Sequence, residues 1–203
     1  MWSADPAPRQ AEKSRVEKAL ADATRSKFFT FVMFYRSNDS ATQSMYQSLK
    51  TEVANRRNAA LQPIRIDDAS ERRLIEQFDA TCLPLPATAA IAPNGAITGV
   101  FPRQITREQI EGAIVSPGYA QCLKAMQSNQ IVLLCVQPER GGFVPKGVQA
   151  FQADRTYRER TQLVSIHAND PAESGFLRQL KIRTDTPAPI TVFMAPPGVL
   201  PGT

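Results

Sequence analysis

Apolar positions in the first half of the chain follow two patterns, a helical spacing of three to four residues and short continuous runs typical of buried strands. In QAEKSRVEKALADATRS, residues 10–26, Val16, Leu20 and Ala23 share one face, which predicts a helix. The run FFTFVMFYR at 28–36 predicts a buried strand. The later pattern predicts a helix with Ser40 as its N-cap, a strand at 61–67, a short helix at 69–78, strands at 87–92 and 96–101 around a Pro-Asn-Gly turn, and a helix at 105–114.

The second half of the chain predicts the same elements in the same order. A connector helix, YAQCLKAMQS at 119–128, precedes them. The predicted elements are a strand at 131–137, a helix at 144–159, a strand at 161–167, a helix at 172–182, a strand within 186–195 and a turn at 196–198. Thr203 stands opposite Val100, before any closing helix, so we expect the second copy to be incomplete.

One segment is written twice. LPLPATAAIAPNGAITG at 83–99 and TPAPITVFMAPPGVLPG at 186–202 align at a constant offset of 103, with seven identities in seventeen positions. Chance gives roughly one or two. The shared positions include Pro86 with Pro189 and Gly95 with Gly198. An internal duplication explains this most simply.

The element order resembles the thioredoxin-like fold. Three features carry the resemblance: the strand FVMFYR ending in aromatic residues, the proline before the third strand, and the Pro-Asn-Gly hairpin turn. The resemblance implies an α/β protein of two tandem thioredoxin-like domains, the second lacking its closing helix. It also implies sheets of about four strands and cis peptide bonds before Pro86 and Pro189. The expected division is a leader and helix at 1–27, a first repeat at 28–116, a connector helix at 117–129 and an incomplete second repeat at 130–203.

The cysteine pair of that family is missing. Its redox members carry Cys-x-x-Cys after the first strand, where this chain has FYRSNDSATQ at 34–43, with Asp39 and Thr42 in the cysteine positions. Disulfide exchange needs an activated thiolate and a resolving thiol, and Asp and Thr supply neither. Asp39 is interpreted as a helix cap or dipole partner rather than a catalytic group. The second copy, QPERGGFVPKG, has no cysteine either.

The three cysteines are Cys82, Cys122 and Cys135, with no spacing typical of a zinc site or disulfide framework. Cys122 and Cys135 lie in apolar segments and are interpreted as core residues. Cys82, four residues before Pro86, leaves one alternative open: a single-thiol oxidoreductase. His167 is the only histidine, which excludes a multi-histidine metal site. No metal and no cofactor is predicted.

The charge distribution and the hydropathy limit which classes of partner the sequence predicts. The net charge is +5, but the basic residues are scattered, whereas a nucleic-acid surface favours a concentrated stripe with aromatics, so nucleic acid is not the expected partner. No apolar run approaches the roughly 20 residues of a membrane span. The compartment stays open, including export with a signal peptide absent from this chain.

These observations predict a redox-inactive thioredoxin-like module that binds a protein or peptide partner. In such folds, partner chains lie across the loop after the first strand and the cis-proline loop. The predicted binding residues are Tyr35, Ser37, Asp39, Thr42, Leu85 and Pro86.

Overall fold

The computed structural model of the chain describes residues 13–138, 144–183, 185 and 188–196. It is an α/β structure with two sheets. The helices are α1 (Arg15–Ser26), α2 (Ser40–Ala54), α3 (Arg72–Gln77), α4 (Arg107–Ala113), α5 (Pro117–Gln127), α6 (Lys146–Ala153) and α7 (Ser174–Gln179). The strands are β1 (Phe29–Tyr35), β2 (Ala59–Arg65), β3 (Ala87–Ile91), β4 (Ile97–Pro102), β5 (Ile131–Gln137), β6 (Thr161–His167) and β7 (Ile190–Met194).

The first sheet has the strand order β2-β1-β3-β4, with β1 parallel to β2 and antiparallel to β3. Strand β1 is buried from Phe29 to Phe34 because helices cover both of its faces. Phe31 and Met33 pack with Leu49 of α2 on one face. Val32 and Phe34 pack with residues of α1 and α3 on the other. This order of elements is that of the thioredoxin-like fold.

Helix α2 begins one residue earlier than the sequence indicated. Its N-cap is Asp39, whose backbone is extended and whose side chain accepts a hydrogen bond from the Thr42 N–H. The prediction of Ser40 as N-cap was wrong, because Ser40 is already the first helical residue. A carboxylate reaching the third helical N–H satisfies one of the free donors at the helix start.

The second sheet repeats the arrangement with three described strands in the order β6-β5-β7. Strand β5 is parallel to β6 and antiparallel to β7. Within the described ranges the second domain has no counterpart of β4 or α4. The predicted turn at 196–198 lies outside the described residues beyond Pro196.

The predicted helix at 144–159 is interrupted. Helix α6 ends at Ala153, and a 3-10 turn at Arg158–Arg160 follows. Asp154 adopts an extended backbone, and its side chain accepts a hydrogen bond from the Thr156 N–H. This local side-chain bond competes with the helical ladder and ends the helix.

Helix α5, predicted as a connector, packs against both domains. Cys122 and Ala125 lie in the core of the second domain, and Ala120 lies in that of the first. The Gln127 side chain accepts from the Ile97 N–H at 2.9 Å and donates to the Ile97 carbonyl at 2.6 Å. The β3–β4 hairpin is therefore hydrogen-bonded to α5.

In each half of the chain, a buried glutamate of a 3-10 turn accepts a hydrogen bond from the start of a helix, α1 in the first half and α5 in the second. Glu71, 1% exposed, accepts hydrogen bonds from the Ser14 hydroxyl at 2.5 Å and the Val16 N–H at 3.0 Å. Glu173, 4% exposed, accepts from the Gly118 N–H at 2.7 Å. Glu173 follows Glu71 by 102 residues, and Gly118 follows Val16 by the same interval. The two domains thus share this clamp.

The two prolines before β3 and β7 differ in geometry. The Leu85–Pro86 peptide bond is cis. The Ala188–Pro189 bond is not among the cis bonds of the described residues, so the prediction for the second proline was wrong. The Pro86 carbonyl accepts a hydrogen bond from the Arg103 N–H after β4, and the described part of the second domain has no fourth strand to supply a counterpart.

Candidate functional site

The predicted binding residues gather at one end of the first sheet. The register pairs Phe34 with Ala87, so Tyr35 and Pro86 follow at the same end of adjacent strands. The same register along β2 brings Tyr35 beside Arg65. Helix α2 starts at this end after the loop 36–39. The carboxyl ends of the parallel strands β1 and β2 therefore meet a helix N-terminus here.

Asp39 serves the helix rather than a reaction. Its carboxylate accepts hydrogen bonds from the Thr42 N–H at 2.9 Å and the Ser37 hydroxyl at 2.8 Å. The bond from the Thr42 backbone, followed by that from Ser37, lowers the pKa of the Asp39 carboxyl. Thr42 itself is buried at 6% exposure. At neutral pH the start of α2 thus carries a capping carboxylate and a buried hydroxyl.

None of the three cysteines lies at that helix start. Cys82 is exposed in the segment between α3 and β3, and it forms no disulfide. Burial, together with the charge of Glu173, raises the pKa of the Cys122 thiol to about 12. Cys135 is buried in β5, with its sulfur 3.7 Å from the Thr191 hydroxyl. The expectation that Cys122 and Cys135 are core residues is confirmed by their burial.

A groove of about 770 Å³ opens between the ends of β1 and β2 and the first half of α2. This is within the range of about 300–1,000 Å³ typical of ligand pockets. Three predicted residues, Tyr35, Ser37 and Thr42, line it. The other lining residues include Arg36, Tyr46, Pro63 and Arg65, none of which was predicted as a binding residue. We call this feature the β2-side groove.

Leu85 and Pro86 do not line the β2-side groove. Leu85 packs against the cluster that holds Phe34 and Ile64, on the opposite face of the sheet from Met33. Pro86 is buried, and its carbonyl accepts from the Arg103 N–H at 2.6 Å. The structure therefore divides the predicted set into a groove part and a proline-loop part.

The charge of the groove is basic. Arg36 and Arg65 line it, and no Asp or Glu does. Arg65 makes a two-bond ion pair with Asp67, which raises the pKa of the Arg65 guanidinium, and the nearby Tyr35 contributes in the same direction. Arg36 is exposed and has no hydrogen bond or ion pair within the described ranges. One guanidinium is thus partly neutralised, whereas the other faces solvent unpaired.

The sequence does contain a signal that identifies residues of the β2-side groove. Polar side chains that follow the carboxyl ends of parallel strands meet at one edge of an α/β sheet, where ligands commonly bind. Arg36 comes directly after β1, and Arg65 is the last residue of β2. The second domain has His167 at the position of Arg65, at the end of β6. Its Nδ1 is buried and has no hydrogen-bond partner among the residues that the structure describes.

Neither a metal site nor a membrane span emerges from the described residues. No group of three or more His, Cys, Asp or Glu side chains in these ranges is placed to hold a metal ion. The helices described are too short or too polar to cross a bilayer.

Comparison with solved structures returns thioredoxin-like proteins. The chain is similar to the N-terminal domain of the alkylhydroperoxide reductase AhpF from Enterococcus faecalis, with 14% identity, 87% of each chain covered and a TM-score of 0.37. It is similar to the first two thioredoxin domains of Saccharomyces cerevisiae Eps1p, with 12% identity, 94% of this chain and 89% of that chain covered, and a TM-score of 0.35. It is also similar to Arabidopsis thaliana thioredoxin O1, with 12% identity, 49% and 88% covered, and a TM-score of 0.39.

No protein-family model matches the chain, and no curated protein matches its sequence. Structural likeness at such low identities and TM-scores assigns no activity to it.

Proposed function

We propose that the protein is a redox-inactive thioredoxin-like module that binds a protein or peptide partner. The observation that carries the proposal is the state of Asp39 and Thr42. Asp39 is held as the cap of α2 by two hydrogen bonds, and Thr42 is buried behind it. The helix start that lowers a thiol pKa in redox members of the fold is here occupied by the chain's own carboxylate.

The loss of thiols leaves a surface that is suited to binding. The β2-side groove lies at this end of the sheet, and its lining combines two tyrosine rings with hydroxyl, amide and guanidinium groups. Tyrosine and arginine are enriched where proteins recognise other chains, because each combines a large contact area with hydrogen-bond donors. The proposed contact residues are Tyr35, Ser37 and Thr42 in the groove, Asp39 at the start of α2, and Leu85 and Pro86 in the separate proline loop.

The alternative is a single-thiol oxidoreductase, and the exposure of Cys82 is the observation that favours it. Cys82 does not line the β2-side groove. A single-thiol enzyme would need this thiol to react as a thiolate near neutral pH. The two functions therefore predict opposite reactivities for Cys82.

Maleimide labelling of the native protein separates the two functions. We expect Cys82 to react no faster than free cysteine at neutral pH, and Cys82→Ser to remove the labelling without changing the fold. Cys122 and Cys135 serve as internal controls, since both are buried and should label only after denaturation. Labelling of Cys82 many times faster than free cysteine would favour the oxidoreductase instead.

We also propose that the chain is a tandem duplication whose copies begin at α1 and α5. The starts of α5, β5, β6 and α7 follow those of α1, β1, β2 and α3 by 102 residues. The start of β7 follows that of β3 by 103, which places a one-residue insertion between α7 and β7. In this proposal residues 117–129 are the first helix of the second copy, and the first copy comprises α1 with the sheet elements up to 116.

A further inference from the structure

We propose that the β2-side groove binds an extended peptide segment carrying acidic side chains, with Arg36 as the main charge contact. This inference rests on the proposed binding function and names the chemistry of the partner. Its support comes from the charge, the shape and the free hydrogen-bonding groups of the groove.

The charge of the groove favours an anionic group. Its two charged lining residues are Arg36 and Arg65, with no carboxylate among the lining side chains. Arg65 is already paired with Asp67. Arg36 makes no ion pair or hydrogen bond in the described part of the chain, so its charge is available to a ligand. A guanidinium recognises a carboxylate through two parallel hydrogen bonds.

The lining favours a peptide. The half-buried Pro63 contributes apolar surface, and the half-buried rings of Tyr35 and Tyr46 contribute aromatic surface. Such surfaces contact side-chain methylenes and peptide planes of an extended segment. Neither tyrosine side chain has a hydrogen-bond partner among the described residues, so their hydroxyl groups are available to peptide groups of the ligand.

The surroundings disfavour a nucleic acid. Asp39, Asp67 and Asp68 lie in the loops around the groove, and hydrogen bonds lower the pKa of each of them, so all three are ionised at neutral pH. A phosphate chain carries a charge at every nucleotide and needs a continuous basic track. A peptide needs to place only one carboxylate on Arg36 and can avoid the three aspartates.

The same peptide is not expected to bind by adding a strand to the free edge of the sheet at β2. Strand β2 lies at the edge of its sheet but contains Pro63, which lacks a backbone donor. Arg15 of α1 also donates to the Pro63 carbonyl at 3.1 Å and to the Gln62 side chain at 3.2 Å. Binding is therefore expected through side chains in the groove.

The test is selection of random heptapeptides displayed on phage against the immobilised full chain, followed by affinity measurement of the selected peptides by fluorescence polarisation. We expect enrichment of Asp and Glu and a roughly three- to tenfold loss of affinity in Arg36→Glu. The matched control is Arg57→Glu, an equal charge change at an exposed position before β2, at the opposite end of the strand. It should leave the affinity unchanged.

Each other outcome has a distinct meaning. Selected peptides without acidic enrichment, or with equal losses in both variants, would overturn the acidic-peptide inference but leave the binding function standing. Failure to select any peptide would count against the proposed function itself. Binding of a fluorescein-labelled oligothymidine that Arg36→Glu weakens, without peptide binding, would reassign the groove to single-stranded nucleic acid and overturn the inference. Circular dichroism of both variants establishes that they are folded.

Discussion

Replacing Glu71 tests whether the buried clamp of the first domain is built as described. Its carboxylate accepts from the Ser14 hydroxyl at 2.5 Å and the Val16 N–H at 3.0 Å, and its side chain is 1% exposed. Glu71→Ala removes the carboxylate that accepts both hydrogen bonds, so the Val16 N–H loses its bond to Glu71. It also leaves a cavity between α1 and the 3-10 turn.

The magnitude follows from those two bonds. Hydrogen bonds to a charged group contribute about 1.5–3 kcal/mol each, and burying the charge partly offsets that gain. We therefore expect Glu71→Ala to lower the free energy of unfolding by about 3 kcal/mol. Glu71→Gln retains the volume and one carbonyl acceptor, so its loss should be about 1 kcal/mol.

Urea unfolding followed by far-ultraviolet circular dichroism measures these losses. The exposed Glu76, on α3 in an ion pair with Arg72, provides the control, since exposed pairs contribute little. Glu76→Ala should change the unfolding free energy by about 0.5 kcal/mol or less. A loss below about 1 kcal/mol for Glu71→Ala, equal to that of the control, would refute the clamp.

Three further sets of substitutions test contacts elsewhere in the chain. Gly118→Ala should destabilise the second domain by about 1–3 kcal/mol, because the added Cβ would lie 2.5 Å from an Ile166 methyl group. The control is Gly147→Ala, which should not destabilise the protein because the space around Gly147 is open. Thermal unfolding compares the two variants. Asp39→Ala should lower the free energy of unfolding more than Asp39→Asn. Because hydrogen bonds lower the pKa of Asp39 in the folded state, the stabilisation by its carboxylate is present above the unfolded-state pKa and is lost as pH falls through the folded-state pKa. Acid titration of the wild type and of Asp39→Ala would show this loss. Because burial raises the Cys122 pKa from 9.0 to about 12, stability should fall as pH rises through that window, and Cys122→Ala should flatten the alkaline limb.

The strands and most helices could be predicted because their patterns are local. Strand β1 is an apolar run interrupted only by Thr30, and α2 has Met45, Leu49 and Val53 on its buried face. The helix break at Asp154 could not be predicted from periodicity, because a side-chain bond to Thr156 ends the helix. The apolar positions of α5 predict a helix, but they do not reveal that it packs against the cores of both domains.

The candidate site was predictable in part. The capping role of Asp39 follows from residue type and position, and the structure supports it. The β2-side groove was not predicted, because it forms only where three elements meet in the fold: the carboxyl ends of β1 and β2 and the start of α2. The buried Glu71 was missed for the same reason: its partners lie 55 and 57 residues away, so the sequence suggests only a residue at a helix start.

The most direct test of the central claim is a turbidity assay that follows the reduction of insulin by dithiothreitol. Disulfide exchange needs an attacking and a resolving thiol, and the resemblance to the thioredoxin-like fold puts Asp39 and Thr42 at the positions of those thiols. We predict a rate equal to that without protein, unchanged by Cys82→Ser. A rate well above that level, abolished by Cys82→Ser, would contradict the redox-inactive binding module and establish a single-thiol enzyme in its place.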